Sequence, residues 1–150
     1  MNYEIVELED KSVIGLLTRT TNENMQAAND IGMLWQKFMS KEIYYQINHR
    51  INADFIGLYT DYEKDYTKPY NFMVGCEVSE IDNLDASLVS KTIKAGKYVK
   101  FSITGQAAVK DAWEEIWTLH LDRKYESDFE VYEYTDDLSQ QRIHIYISVQ

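Results

Sequence analysis

The hydrophobic periods of this chain run twice through one order, strand segments, a helix and two closing strands, within 150 residues. Residues 3–8 and 12–18 read as strand, with Glu9, Asp10 and Lys11 as a turn or bulge between them. A helix is predicted over about 24–45, where Ala28, Ile31, Leu34, Trp35, Phe38 and Met39 recur at steps of three and four. Strands over 54–60 and 72–79 follow, joined by a polar, tyrosine-rich stretch that holds the one proline, Pro69. After a polar linker at 81–87 the order begins again. Strands at 89–93 and 98–103 flank the turn 94–97. Val109, Ala112, Trp113, Ile116, Trp117 and His120 then share one helical face, and strands over 128–134 and 142–149 close the chain. The repetition is one of element order, with little residue identity between halves. It predicts an α+β domain over 1–150, built from two βαββ modules at about 1–80 and 88–150. A module of about 70 residues buries only a small core, so the two should pack side by side, with a cleft at their junction.

Composition narrows the chemistry. A formal charge of −10, from 25 acidic and 15 basic residues, repels a phosphate backbone and favours cationic ligands or basic partner surfaces. Cys76 is the single cysteine, which excludes an internal disulfide and fits a reducing, cytoplasmic setting. The N-terminal residues lack the basic and apolar regions of a signal peptide, and no apolar run approaches the roughly 20 residues that span a bilayer. Strand signals begin at Tyr3, so no helix-turn-helix is expected ahead of the domain and no DNA contact by this chain. His49, His120 and His144 have no metal-binding spacing, no glycine-rich phosphate loop occurs, and no serine stands in a nucleophile elbow. Neither a metal nor a cofactor is expected, and Cys76, inside a strand, reads as a buried inert thiol.

The last two strands carry the most informative local pattern. Ile143, Ile145, Ile147 and Val149 form one continuous β-branched face that belongs under the helix, leaving His144, Tyr146 and Ser148 on the other. In the preceding strand Glu130, Tyr132 and Tyr134 point together. If the two strands make a hairpin, Glu130, Tyr132, Tyr134, His144 and Tyr146 line one acidic, aromatic surface. Such a surface suits a lipophilic cation, through Coulomb attraction and cation–π contacts worth about 0.5–2 kcal/mol each, and an unliganded carboxylate there would have a raised pKa. The plainer reading is a solvated edge hairpin whose tyrosines reflect β propensity. Trp113 and Trp117 likewise read as core or as a ligand shelf, and the run from Asp61 to Tyr66 as a solvated loop that can form a lip.

Read in order, Phe55-Ile56-Gly57-Leu58-Tyr59-Thr60-Asp61-Tyr62-Glu63, Val74-Gly75-Cys76-Glu77-Val78, Ala95-Gly96-Lys97-Tyr98-Val99-Lys100-Phe101, Ala112-Trp113-Glu114-Glu115-Ile116-Trp117, Asp128-Phe129-Glu130-Val131-Tyr132 and Ile145-Tyr146-Ile147 resemble the GyrI-like effector-binding family. That family comprises ligand-sensing domains of AraC- and MerR-type bacterial transcription activators and free-standing members, one class of them associated with integrons. The resemblance implies a pseudo-twofold pair of βαββ modules around a central groove that, in multidrug-sensing members, takes bulky lipophilic cations around a buried glutamate. By motif that glutamate is Glu130, the final-strand tyrosine is Tyr146, and the second-helix tryptophan is Trp113, with Trp117 one turn on. A second acid of some members falls near His144, which departs from a doubly acidic pocket.

These readings make the chain first a stand-alone binder of a cationic, amphipathic small molecule, held by Glu130 among Trp113, Trp117, Tyr59, Tyr132 and Tyr146, with His144 beside them. The alternatives implied by the resemblance are a hydrolase of strained electrophiles, with Glu130 as general acid or base, and a protein-interaction module such as a gyrase inhibitor. No nucleophile or oxyanion device supports catalysis independently.

Overall fold

The computed structural model describes residues 2–150. Its strands are β1 (Tyr3–Leu8), β2 (Lys11–Thr20), β3 (Phe55–Thr60), β4 (Tyr70–Val78), β5 (Val89–Ile93), β6 (Gly96–Thr104), β7 (Ser127–Tyr132) and β8 (Arg142–Ser148); its main helices are α1 (Gln26–Ser40) and α2 (Val109–Thr118). All eight strands join one antiparallel sheet in the order β1-β6-β8-β7-β3-β4-β2-β5. Replacing each strand by its counterpart in the other half reverses this order onto itself, which is a pseudo-twofold axis between β3 and β7.

The segments around Glu9 and Lys94, read from sequence as turns, are crossovers. β1 does not pair with β2; it lies on β6, with Tyr3 opposite Phe101 and Leu8 opposite Gly96. β5 correspondingly lies on β2, with Lys11 opposite Ile93. Each half thus donates its leading strand to the edge of the other, and the sheet interleaves segments 1–80 and 88–150. A two-residue connection between strands is compatible with a hairpin in sequence, so only the tertiary partner decides the pairing.

Both helices cover the same face of the sheet. Under α1, Phe38 packs with Ile14, Leu16, Phe72, Val74 and Cys76; under α2, Ala112 and Ile116 meet Val99, Phe101, Ile145 and Ile147. The isoleucine face of β8 lies where its alternation placed it. The opposite face makes a third core in which Ile93 from one edge, Tyr98, and the partly buried Val6 and Leu8 of the other edge pack with Ile56, Leu58 and Phe129 from the middle. Burial of Cys76 pushes its thiol up to about 12, so it is an inert core residue at neutral pH.

The first helix is shorter than its periodicity suggested. It begins at Gln26 because Asn24 (φ 53°) and Met25 (φ 59°) are left-handed, and it stops at Ser40, two residues before left-handed Glu42 (φ 50°). The break lets the following 3-10 turn, Ile43–Gln46, bury Ile43, and it delivers Ile47 to the same core. An unbroken helix to Tyr45 would carry this pair along the α1 axis instead. No helix among the described residues is long and apolar enough to cross a membrane.

Strands β2 and β4 meet at Gly15 opposite Gly75. A Cβ on Gly15 would stand 2.0 Å from the Val74 carbonyl oxygen, and one on Gly75 2.2 Å from that of Ile14, so backbone approach excludes side chains there. Gly32, on α1, has open space where a Cβ would go. Gly15→Ala should therefore destabilise the fold by roughly 3 kcal/mol or more, while Gly32→Ala stabilises it by about 0.5–1 kcal/mol. Urea titration of the two variants checks the opposite signs.

Candidate functional site

The centre of the site is set by the β3–β7 ladder. In antiparallel pairing, directly opposite residues share a face, and here Phe55 faces Tyr132, Gly57 faces Glu130 and Tyr59 faces Asp128. All six positions lie on the face that the helices cover, and five of them carry a side chain there. Gly57 leaves space for the carboxylate opposite it: a Cβ there would come within 2.9 Å of Glu130 Oε1. Glu130 is 2% exposed. Its Oε2 accepts from Trp113 Nε1 at 2.6 Å and from the Tyr59 hydroxyl at 3.1 Å, and its Oε1 accepts from the Tyr132 hydroxyl at 2.9 Å. None of the ion pairs among the described residues involves it. Burial raises its carboxyl above the ordinary range, and the three hydrogen bonds oppose that rise only in part. Burial, reinforced by the charge of the same carboxylate, raises the Tyr59 and Tyr132 hydroxyls, so both stay protonated as donors.

Two residues earlier on the same face, Asp128 is completely buried and differently served. Its Oδ2 accepts from the Tyr62 hydroxyl at 2.7 Å and pairs with Arg123 Nη2 at 2.9 Å; its Oδ1 accepts from the Ser148 amide at 2.8 Å and hydroxyl at 3.0 Å. One buried acid therefore has a counter-cation and the other has none.

Above the two acids lies a groove of about 620 Å³. One wall comes from the start of α1, with Met25, Ala28 and Ile31, and the other from α2, with Val109, Trp113 and Trp117. Tyr59, Tyr62, Tyr70 and Arg123 close its base, and Tyr66 of the 61–69 loop forms a lip. Tyr59 meets Trp113 edge-on at 5.2 Å and Phe72 at 4.9 Å, so the wall is held by ring packing. Trp117 is 54% exposed, 6.5 Å from Trp113.

Glu130, Trp113, Trp117 and Tyr59 are brought together as the sequence suggested. Tyr132 joins them through its hydroxyl, while its ring packs on Trp35 at 5.0 Å and does not line the groove. Tyr146 and His144 are elsewhere. The β7–β8 register sets Phe129 against Tyr146 and Val131 against His144, so Glu130 and Tyr132 instead oppose Ile145 and Ile143. The expectation of one common polar face was off by a single residue of register, and that slip moves both side chains through the sheet. Tyr146 stacks on Phe129 at 4.4 Å in the opposite core, and His144 bridges Ser102, at 2.7 Å from Nδ1, and Glu133 through Nε2. Tyr134 lies past the end of β7, 67% exposed, bonded to Asp136. From sequence, Asp128, Arg123 and Tyr70 are not singled out as site residues, and Tyr62 enters only within the 61–66 loop that can form a lip. Asp128 shares the alternation of Glu130, which was a usable signal; Arg123 lies in an irregular segment with none.

The sequence profile of a family described as integron-associated effector-binding protein matches residues 4–149. The chain belongs to that family. An integron cassette protein from the mobile metagenome of Vibrio cholerae is 31% identical, superposes with a TM-score of 0.78, and the match covers 99% of this chain and 95% of that one. The putative transcriptional regulator protein YobU of Bacillus subtilis is 29% identical over 97% of this chain and 96% of its own. The structure of SAV2435 bound to tetraphenylphosphonium shares the fold, with a TM-score of 0.81, 21% identity and coverage of 100% and 94%. Membership makes the chain an effector-binding protein related to the ligand-binding domains of transcription regulators.

Because the folded carboxyl of Glu130 titrates above its ordinary value of 4.5, folding takes up protons as it begins to ionise. The stabilisation that protonated Glu130 contributes is complete below the unfolded value and is lost as pH rises through the folded one. Glu130→Gln has no such loss. The melting temperature of the variant relative to wild type should therefore climb as pH rises above the ordinary value of 4.5, measured by differential scanning calorimetry; a pH-independent difference would rule the reading out.

Proposed function

We propose that the groove binds a lipophilic small molecule carrying one positive charge, with Glu130 as its electrostatic anchor. The observation that carries this reading is a buried carboxylate without a counter-cation, set behind an aromatic wall. Burying a lone charge is costly unless something neutralises it, and a ligand cation does so. Tyr59 and Trp113 both donate to the carboxylate and both line the groove, so their rings separate it from a ligand. Donating to an anion enriches the π-faces of those rings and strengthens their attraction for a cation. A cation seated roughly 7 Å from the carboxylate gains about 2 kcal/mol at an effective dielectric constant of about 20. Val109, Ile31 and Met25 supply apolar contact for the body of the molecule.

Binding is favoured over catalysis. With both oxygens hydrogen-bonded and the carboxyl shielded, Glu130 is poorly placed to take a proton from a substrate. SAV2435, a protein of the same fold, carries tetraphenylphosphonium, a ligand of the proposed class. The −10 charge suits attraction of cations and opposes direct nucleic-acid contact, so in this reading the protein captures its effector in the cytoplasm, and any transcriptional consequence passes through a protein partner.

Isothermal titration of tetraphenylphosphonium and of neutral triphenylphosphine oxide into wild type and Glu130→Gln tests this. The cation should bind wild type and lose about 2 kcal/mol, roughly thirtyfold, in the variant, while the neutral compound binds both alike. Affinity for the cation should also increase as pH rises through the Glu130 titration, with proton release. Equal binding of the two compounds to wild type would show that the carboxylate plays no part in recognition.

A further inference from the structure

The second buried acid already holds a cation. Asp128 is fully buried, and Arg123, with its side chain 10% exposed, sits against it at 2.9 Å with its guanidinium 4.3 Å from the centre of the Tyr125 ring. Tyr62 donates to the same carboxylate and packs edge-on with Tyr125 at 5.5 Å. This is an acid-plus-aromatic seat, of the kind Glu130 makes with Tyr59 and Trp113, and Tyr62 and Arg123 open onto the same groove. The seat serves the hydrogen-bonding pattern of a guanidinium only in part: Nη2 donates to Asp128, but Arg123 Nε is buried with no acceptor, the one orphaned buried side-chain polar atom among the described residues. What the seat satisfies is the charge, one hydrogen bond and the ring contact.

We propose that Arg123 is a resident intramolecular cation, filling a second cation seat at Asp128 and thereby restricting the groove to ligands with one positive charge. Residues two apart on a strand are roughly 7 Å apart, so the carboxylates of Asp128 and Glu130 would otherwise match a compact dication. With Arg123 in place a second ligand charge meets a neutralised acid and a guanidinium, and gains nothing. The selectivity part of this rests on the cation-binding reading of the groove; the occupied seat does not.

Three proteins test it: wild type, Arg123→Ala and Arg123→Ala/Asp128→Asn. Arg123→Ala should lose on the order of 10 °C in melting temperature, because Asp128 is left buried and uncompensated. Millimolar methylguanidinium should restore much of that loss, well beyond matched sodium chloride, and should do nothing for wild type or for the double variant. Pentamethonium, whose charges are spaced like the two acids, should bind Arg123→Ala at least about tenfold more tightly than it binds wild type or the double variant. Recovery no greater than with sodium chloride overturns the proposal. Should Arg123→Ala not fold alone, refolding from urea with and without methylguanidinium reads the same effect, and refolding that methylguanidinium does not improve overturns the proposal equally. Rescue in a protein set that never binds tetraphenylphosphonium upholds the seat and rejects the groove reading. Rescue with tetraphenylphosphonium binding but no preference for pentamethonium in Arg123→Ala overturns the selectivity role.

Discussion

The ladder between β3 and β7 is the interaction on which the rest of this molecule depends. It runs from Phe55 opposite Tyr132 to Thr60 opposite Ser127, and it is the seam along which two small half-sheets become one. Without it, each half has a single helix over a few strands and a core too small to stand comfortably alone. The same ladder puts Gly57 against Glu130, so that an acid is buried at the axis with room for its carboxylate. Structural seam and candidate site are thus one set of residues. The absence of a side chain at one position of β3 makes the charge on β7 tolerable.

Much of this was legible in the sequence. The double pass of elements, the buried isoleucine face of β8 and the placing of Trp113 beside Glu130 followed from periodicity and from a family resemblance. What failed was pairing. Alternation tells which residues of a strand share a face, but it does not tell which face of one strand coincides with which face of the next. Tyr146 and His144 were grouped with Glu130 on that basis, and a one-residue register places them across the sheet. The crossovers at Glu9 and Lys94 failed for a related reason: short polar links resemble hairpin turns, and only the cores they connect distinguish them. The early end of α1 depended on Ile43 and Ile47 finding the sheet, a tertiary demand that overrode a continuous helical pattern.

The electrostatic layout of the site reflects a division between two acids on one strand. Asp128 is satisfied from four donors, one of them a guanidinium, and needs nothing from outside. Glu130 has three neutral donors and keeps a raised pKa, so it stores an unmet preference for positive charge. Neutral donors lower the cost of burying a carboxylate without cancelling its field. The aromatic rings between Glu130 and the groove therefore act as more than filler; by donating to the carboxylate they carry part of its negative potential to a groove wall that elsewhere holds Lys110, Glu114 and Arg123.

The exchange of leading strands bears on how the chain comes to be folded at all. Tyr3 pairs with Phe101, so β1 waits during synthesis for a strand that is made only after the other strands and the helix of its own half. Until then the N-terminal half lacks the strand that later covers the outer edge of β2, and β1 has no ladder to join. Contacts of such sequence separation slow folding, because loop closure precedes the burial that rewards it. The two halves are in effect a dimer whose subunits have swapped arms and share one polypeptide, and the linker at 81–87 serves chiefly to keep their mutual concentration high.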